Sequence, residues 1–146
     1  MKVLVASDNR IYLINGNYFA SNSFQKVILR YKRYFGAVVI CTRVICTNLD
    51  NDIPDSYVNI SDITTEIFNI KSLLGVFFGK RDAFLRRVII DSDLVVARLP
   101  TVTGMRVSKL AKKLKKKYLA EVVGCAWDAY WNHGLAGKLL DRKSVV

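Results

Sequence analysis

The sequence has too few metal-binding side chains for a metal centre. Its 146 residues include a single histidine, His133, and three cysteines. A structural zinc site needs four cysteine or histidine ligands, and no second cysteine pair accompanies Cys41 and Cys46. We therefore expect no metal ion, and we interpret Cys41, Cys46 and Cys125 as reduced thiols buried beside apolar strand residues.

Long apolar runs and a dinucleotide fingerprint are also missing. No uncharged apolar run reaches the roughly 18 residues that a membrane-spanning helix needs, and the apolar run at residues 3–6 is too short for a signal peptide. These absences predict a cytoplasmic protein. After that first run the chain reads Ser7-Asp8-Asn9 instead of G-x-G-x-x-G, so we expect no dinucleotide cofactor there.

Positive charge is what the sequence has in excess. It contains 23 lysines and arginines against 12 aspartates and glutamates, which gives a net charge of +11. Such a charge predicts an anionic partner, because the summed field attracts nucleic acid, an anionic bilayer surface or a phosphorylated substrate. Charge alone does not choose among these three.

The spacing of apolar runs predicts an α/β fold. Residues 94–97 and 119–123 are short apolar runs rich in β-branched side chains, and one helix-length segment separates them, as in a parallel βαβ unit. Further buried strands are predicted at 2–6 and 37–42, with an amphipathic helix between them. We therefore expect one Rossmann-like domain over residues 1–140, a mainly parallel sheet with helices on both faces, and a short tail at 141–146.

Three intervening segments carry further predictions. Residues 11–14 and 17–20 flank Asn15-Gly16, which suits a type I′ hairpin turn lying over the carboxyl edge of the sheet; its aromatic side chains either pack on the domain or form one wall of a cleft. Residues 57–60 are predicted to be an edge strand, and 64–90 mainly helical. Within the latter, 75–79 (GVFFG) is either an exposed membrane-surface patch or a buried kink.

A ligand site is expected beyond the carboxyl ends of the strands, as in other open α/β sheets. Those ends are residues 98–101 and 124–128. The helix after Gly104 adds a cationic face, because six lysines occupy nine positions. A solvated outer face is the commonest meaning of such a pattern, binding to anionic lipid comes next, and nucleic acid is least favoured. The lysines are Lys109, Lys112, Lys113, Lys115, Lys116 and Lys117.

Three stretches resemble the amino-terminal half of bacterial family 4 (group 1) glycosyltransferases, which act in capsule and other surface-polysaccharide synthesis. They are SDNRIYLINGNYFAS after the first strand, ARLPTVTG before the lysine-rich helix, and EVVGCAWDAYWNHG after it. The likeness extends from residue 1 to about 140. It implies one half of a GT-B fold, in which the amino-terminal domain mainly binds the acceptor and the carboxy-terminal domain mainly binds the nucleotide sugar.

The resemblance implies retaining sugar transfer, without an essential metal or other cofactor, onto a glycan that is often lipid-linked at the inner membrane face. Relatives carry a His-Asp pair where this chain has Trp127-Asp128, with His133 five residues beyond. We assign catalytic roles to Asp128 and His133. Acceptor contacts are expected from Asn15, Tyr18, Arg98, Thr101, Trp127 and Trp131, and contacts with the anionic membrane surface from Lys109, Lys112, Lys113 and Lys116.

The same resemblance raises the question of a second domain. After residue 140 the sequence reads DRKSVV, and no nucleotide-sugar site is recognisable. We therefore expect the chain to be inactive alone and to be a truncated product, an excised domain or half of a split enzyme whose donor domain lies on a second chain. The alternative is a non-catalytic α/β binding module whose basic helix binds anionic lipid or, less favoured, nucleic acid; steep salt dependence would indicate it.

Overall fold

A parallel sheet of five strands forms the centre of the molecule in the computed structural model, which describes residues 1–47, 53–63 and 66–123. All four strand pairings in this sheet are parallel. The strand order is β7-β4-β1-β8-β9, a doubly wound order in which the direction of winding reverses between β1 and β8. The strands are β1 (Lys2–Ala6), β4 (Ala37–Thr42), β7 (Glu66–Asn69), β8 (Leu94–Leu99) and β9 (Tyr118–Val122).

Helices cover both faces of this sheet, which confirms the predicted α/β class. Successive residues of β1 point to opposite faces, so Val3 and Val5 join the core beneath α1, whereas Leu4 and Ala6 join the core beneath α3 and α4. In the described ranges no helix is long and apolar enough to cross a membrane. The helices are α1 (Asn22–Phe35), α2 (Leu73–Phe77), α3 (Asp82–Ile90) and α4 (Val102–Lys113).

Both ends of α1 follow local sequence signals. The Ser21 hydroxyl accepts a hydrogen bond from the Phe24 N–H at 3.2 Å and so caps the first turn. Gly36 ends the helix with φ 91°, a backbone conformation that a side chain disfavours.

A second sheet of four strands stands beyond the carboxyl edge of the first, in the order β5-β2-β3-β6. The predicted hairpin is confirmed, with φ 49° at Asn15 and 81° at Gly16 as a type I′ turn requires. It does not lie alone over the edge, because it pairs on both sides with other strands. The predicted edge strand at 57–60 is also in this sheet. The strands are β2 (Ile11–Ile14), β3 (Asn17–Ser21), β5 (Val44–Cys46) and β6 (Tyr57–Asn59).

Two segments that were predicted to be helical differ from the prediction: one contains a strand, and the other is a helix with different ends. Residues 66–69 form β7, an edge strand paired with β4, so the expectation of a mainly helical 64–90 is wrong there. Ile67 packs on the α1 side and Phe68 on the α3 side, the two-residue alternation of a strand. Helix α4 begins at Val102, before Gly104, and ends at Lys113, so the lysines at 115–117 follow the helix.

The cysteines were expected to be buried, and Cys46 is exposed instead. It lies in the three-residue strand β5 at the edge of the second sheet, where, among the described strands, only β2 pairs with it. Cys41 is buried as predicted, and burial raises the pKa of its thiol to about 12. Cys125 lies outside the described residues.

Candidate functional site at the carboxyl edge of the sheet

The point where the winding reverses brings together the polar segments that follow β1 and β8. Ala6 and Ala97 are register partners in these adjacent strands. Just beyond them, the Arg98 Nη1 donates to the Asn9 Oδ1 at 3.3 Å. The Thr42 hydroxyl, at the end of β4, donates to the Asn9 carbonyl oxygen. Asn9 therefore joins three strand ends where open α/β sheets bind their ligands.

The first turn of α4 is closed by side chains of the chain itself. The Asp8 carboxylate accepts hydrogen bonds from the N–H groups of Val102, at 2.8 Å, and Thr103, at 3.0 Å. The Thr101 hydroxyl accepts from the Gly104 N–H at 2.9 Å. These amides are the ones that a helix presents to a bound phosphate. Here a carboxylate occupies that position.

Gly104 allows α4 to start directly against the end of β8. A Cβ atom at this position would lie 2.2 Å from the Arg98 carbonyl oxygen and 2.6 Å from the Thr101 Oγ1. Since real Cβ atoms do not approach so closely, only glycine fits without a shift of the backbone. The residue therefore positions both Arg98 and the capped helix end.

Arg98 is held in a mostly buried setting at this edge. Its side chain is only 11% exposed, and its guanidinium lies 5.5 Å from the centre of the Phe24 ring. The Arg98 Nε is 3.7 Å from the Glu121 Oε2, and Glu121 also pairs with Arg30. Burial, and secondarily the Arg30 charge, lowers the pKa of Arg98. The guanidinium nevertheless stays charged, because arginine titrates far above neutral pH.

Two further arginines are partly buried near the ends of β4 and β7. The Arg81 Nη2 donates to the Asn69 carbonyl oxygen at 3.4 Å, and its guanidinium lies 4.6 Å from the centre of the Phe84 ring. In the described part of the chain the Nε atoms of Arg43 and Arg81 are buried without a hydrogen-bond partner. Together with Arg98 they give this edge a positive potential.

The structure brings together only some of the residues that the sequence suggested as acceptor contacts. Arg98 and Thr101 adjoin, since the Thr101 hydroxyl donates to the Arg98 carbonyl oxygen at 2.5 Å. Asn15 is at the exposed hairpin tip, separated from the Asn9 cluster by the four residues of β2, roughly 13 Å of strand. Tyr18 packs against the α1-side core, and its N–H donates to the Ser61 Oγ at 2.8 Å.

The other suggested site residues lie outside the described residues, and their roles stay predictions. They follow a strand that ends at the same edge, since the Val123 N–H donates to the Leu99 carbonyl oxygen at 2.8 Å. They are the two suggested catalytic residues, Asp128 and His133, and the two tryptophans, Trp127 and Trp131.

The lysines suggested for anion binding are dispersed along and after α4. Lys109, Lys112 and Lys113 are exposed on the helix. Lys116 follows the helix, and its Nζ donates to the Ile90 carbonyl oxygen at the end of α3 at 3.1 Å. Among the described residues no three histidine, cysteine, aspartate or glutamate side chains group as metal ligands would.

Sequence reasoning missed Asp8 and Asn9 as site residues. A signal existed, because both directly follow a buried strand. Their significance depends on β1 and β8 being neighbours, which doubly wound topology provides and local sequence does not.

Comparison with known proteins gives one informative similarity. No family model matches the chain, and no solved structure matches it. The chain is 33% identical over 144 residues to Protein CapJ of Staphylococcus aureus. The aligned region is 96% of this chain and 36% of CapJ, so the chain spans about a third of the length of that curated relative. The similarity therefore relates this α/β unit to one part of CapJ.

Proposed function

We propose that the chain is the acceptor-side domain of a glycosyltransferase of capsule polysaccharide synthesis. Three observations support this: the doubly wound α/β fold, the resemblance of its segments to family 4 glycosyltransferases, and the similarity to Protein CapJ. Sugar transfer itself would require a donor site that is not recognisable in this chain, so the proposed role is to bind the acceptor glycan.

The main support for the proposal is that the Asp8 carboxylate accepts hydrogen bonds from the first backbone amides of α4. Nucleotide-binding α/β domains leave such amides free for a phosphate group at the strand-order reversal. Here the Asp8 oxygens lie 2.8 and 3.0 Å from the amide nitrogens of Val102 and Thr103. A nucleotide diphosphate approaching this helix end would meet a negative charge, and the first three backbone amides of α4 already have hydrogen-bond partners. The domain is therefore better suited to the uncharged hydroxyls of a glycan than to the nucleotide.

The polar groups at the edge suit a glycan. Sugar hydroxyls both donate and accept hydrogen bonds, and the Asn9 side chain and Arg98 guanidinium together offer both functions. The proposed acceptor site consists of these two residues, with Trp127 and Trp131 to stack on sugar faces and Asp128 and His133 to act on the reacting hydroxyl. A lipid diphosphate on the acceptor would be attracted by Arg43 and Arg81.

Saturation-transfer NMR can test whether this chain binds the acceptor glycan or the nucleotide-sugar donor. The purified protein is mixed separately with a nucleotide sugar and with oligosaccharides released from bacterial surface polysaccharide. We expect saturation of sugar protons in the oligosaccharides and little on the nucleotide. Arg98→Gln should weaken the oligosaccharide signal several-fold, whereas Arg33→Gln, an exposed change on α1, should not. Strong saturation of the nucleotide base would reverse the assignment to the donor side.

A turnover assay addresses transfer itself. The chain is incubated with a labelled nucleotide sugar and a membrane-extract acceptor, alone and with lysate that supplies a donor domain. We expect label in the acceptor only in the mixture. Transfer by the chain alone would show that it holds both substrates and would contradict the proposal.

A further inference from the structure

Helix α2 is apolar on both of its faces, although only one face contacts the core. Val76 is buried, and Leu73 packs against the same α3-side core. On the outer face Leu74 and Phe77 are 69% and 63% exposed, and Phe78, which follows the last helical residue, is 68% exposed. We call these three outer residues the α2 surface. A helix that is apolar all round is normally covered on all sides, so the α2 surface requires an explanation.

The α2 surface is large for three side chains. The Phe77 and Phe78 rings contact each other edge to face, with 5.1 Å between their centres. With about 150–250 Å² for each large side chain, the three expose on the order of 300–400 Å² of apolar area. Contiguous apolar patches of this size are often interaction sites in soluble proteins.

Charge around the α2 surface indicates what kind of surface it fits. The stretch from residue 70 to 81 contains Lys71, Lys80 and Arg81 and no aspartate or glutamate. The next acidic residue, Asp82, is engaged by Arg106. Lys71 and Lys80 are exposed at the two ends of the segment. An apolar centre between cations complements a bilayer with anionic headgroups, because acyl chains receive the rings while phosphates attract the ammonium groups.

We propose that the α2 surface docks this protein onto an anionic bilayer. Leu74, Phe77 and Phe78 enter the boundary between headgroups and acyl chains, and Lys71 and Lys80 extend to the phosphates. The exposed lysines of α4 add attraction without apolar anchorage. Helix α2 follows the carboxyl end of β7, and Arg98 is at the carboxyl end of β8 in the same parallel sheet. Docking through α2 therefore holds the sheet edge that contains Arg98 close to the headgroups, where a lipid-linked glycan is presented. That last step rests on the proposed function, whereas the docking does not.

Vesicle co-sedimentation tests the docking directly. The 146-residue protein is mixed with vesicles of phosphatidylcholine alone and of phosphatidylcholine with phosphatidylglycerol. We expect sedimentation with the anionic vesicles and at least a tenfold loss of affinity in the double variant Phe77→Ser with Phe78→Ser. Lys71→Gln with Lys80→Gln should weaken binding several-fold. The matched controls are Tyr34→Ser, 73% exposed on the opposite helix layer, and Lys26→Gln on α1; both should bind like the parent.

Tryptophan fluorescence provides a second test of membrane docking that does not depend on the folding of the Phe77/Phe78 double variant. Phe78→Trp should show a blue-shifted difference spectrum when anionic vesicles are added, and Tyr34→Trp should not. Equal vesicle binding by the Phe77/Phe78 variant and the parent, or failure of the parent to bind, would overturn the proposal. Concentration-dependent self-association that the same variant abolishes, with no vesicle binding, would identify a second copy as the occupant instead. Each result is independent of whether the protein binds a glycan.

Discussion

Asp8 acts as an internal substitute for a bound anion, and that role predicts a stability cost on its removal. Its carboxylate satisfies two amides of α4, so Asp8→Ala should lower the free energy of unfolding by about 1–2 kcal/mol, as loss of a helix cap does. Urea denaturation would measure the change, with Asp55→Ala, at an exposed turn, as the control. A loss no larger than that of the control would mean that solvent satisfies these amides equally well.

Two glycines that look equivalent in sequence should respond oppositely to alanine. At Gly104 a Cβ would overlap the Arg98 carbonyl oxygen, so Gly104→Ala should destabilise the protein by about 1–3 kcal/mol. At Gly75 the nearest atoms are 3.7 Å away, so Gly75→Ala should be neutral or stabilising by up to about 1 kcal/mol, because alanine favours a helix. Thermal unfolding of both variants checks the pair; similar shifts would contradict the close approach at Gly104.

Single residues were predictable where their effect is local. The Asn15-Gly16 turn was predicted because it depends on two neighbouring backbone angles. The cap of α1 at Ser21 and its end at Gly36 are local features of the same kind. Asp8 and Arg98 are different, because their partners lie about 90 residues away along the chain. Only the adjacency of β1 and β8 makes them parts of one site.

At the level of elements, α3 and α4 are joined by one ion pair whose contribution should depend on pH. The Arg106 Nε donates to the Asp82 Oδ1 at 2.8 Å, and both side chains are mostly buried. The hydrogen bond from Arg106 is the main cause that lowers the pKa of Asp82 below its ordinary 3.8. A lowered pKa stabilises the folded state above the unfolded pKa, and this stabilisation is lost as pH falls through the folded value.

Asp82→Asn should therefore cost about 1–3 kcal/mol at pH 7, the usual cost of losing a charge-assisted hydrogen bond. The difference from the parent should shrink as pH falls below the ordinary value of 3.8, because the Asp82 carboxylate of the unfolded parent is protonated first and that of the folded parent only at lower pH. Urea unfolding at a series of pH values measures it, with exposed Asp62→Asn as the control. If the difference in free energy of unfolding between the parent and Asp82→Asn stays constant with pH, the Asp82–Arg106 ion pair is not the cause of that difference.

Elements differ in how well the sequence indicated them. Strands β1, β4, β8 and β9 are apolar runs next to helices with clear periodicity, so their order along the chain and parallel pairing could be foreseen. Strand β7 has only four residues, Glu66–Asn69, and its two apolar side chains fit the start of a helix as well as a strand. Its identity comes from pairing with β4, a non-local contact.

At the scale of the whole molecule, positive charge is distributed over both helix layers. On one side α1 carries Lys26, Arg30, Lys32 and Arg33, and on the other α3 and α4 carry Arg86, Arg87, Lys109, Lys112 and Lys113. Four described acidic residues form ion pairs, among them Asp91 with Lys2. The net charge of +11 should therefore oppose compaction through repulsion among exposed cations.

This repulsion predicts that salt stabilises the protein. Between about 0.01 and 0.15 M ionic strength the screening length falls from about 30 to 8 Å, which weakens repulsion between exposed cations more than attraction within close pairs. We expect Tm to rise by a few degrees over this range. The double variant Lys109→Gln with Lys112→Gln should start at a higher Tm and rise less. A Tm that falls with salt would mean that attraction within close pairs such as Asp82–Arg106 outweighs the repulsion among the exposed cations.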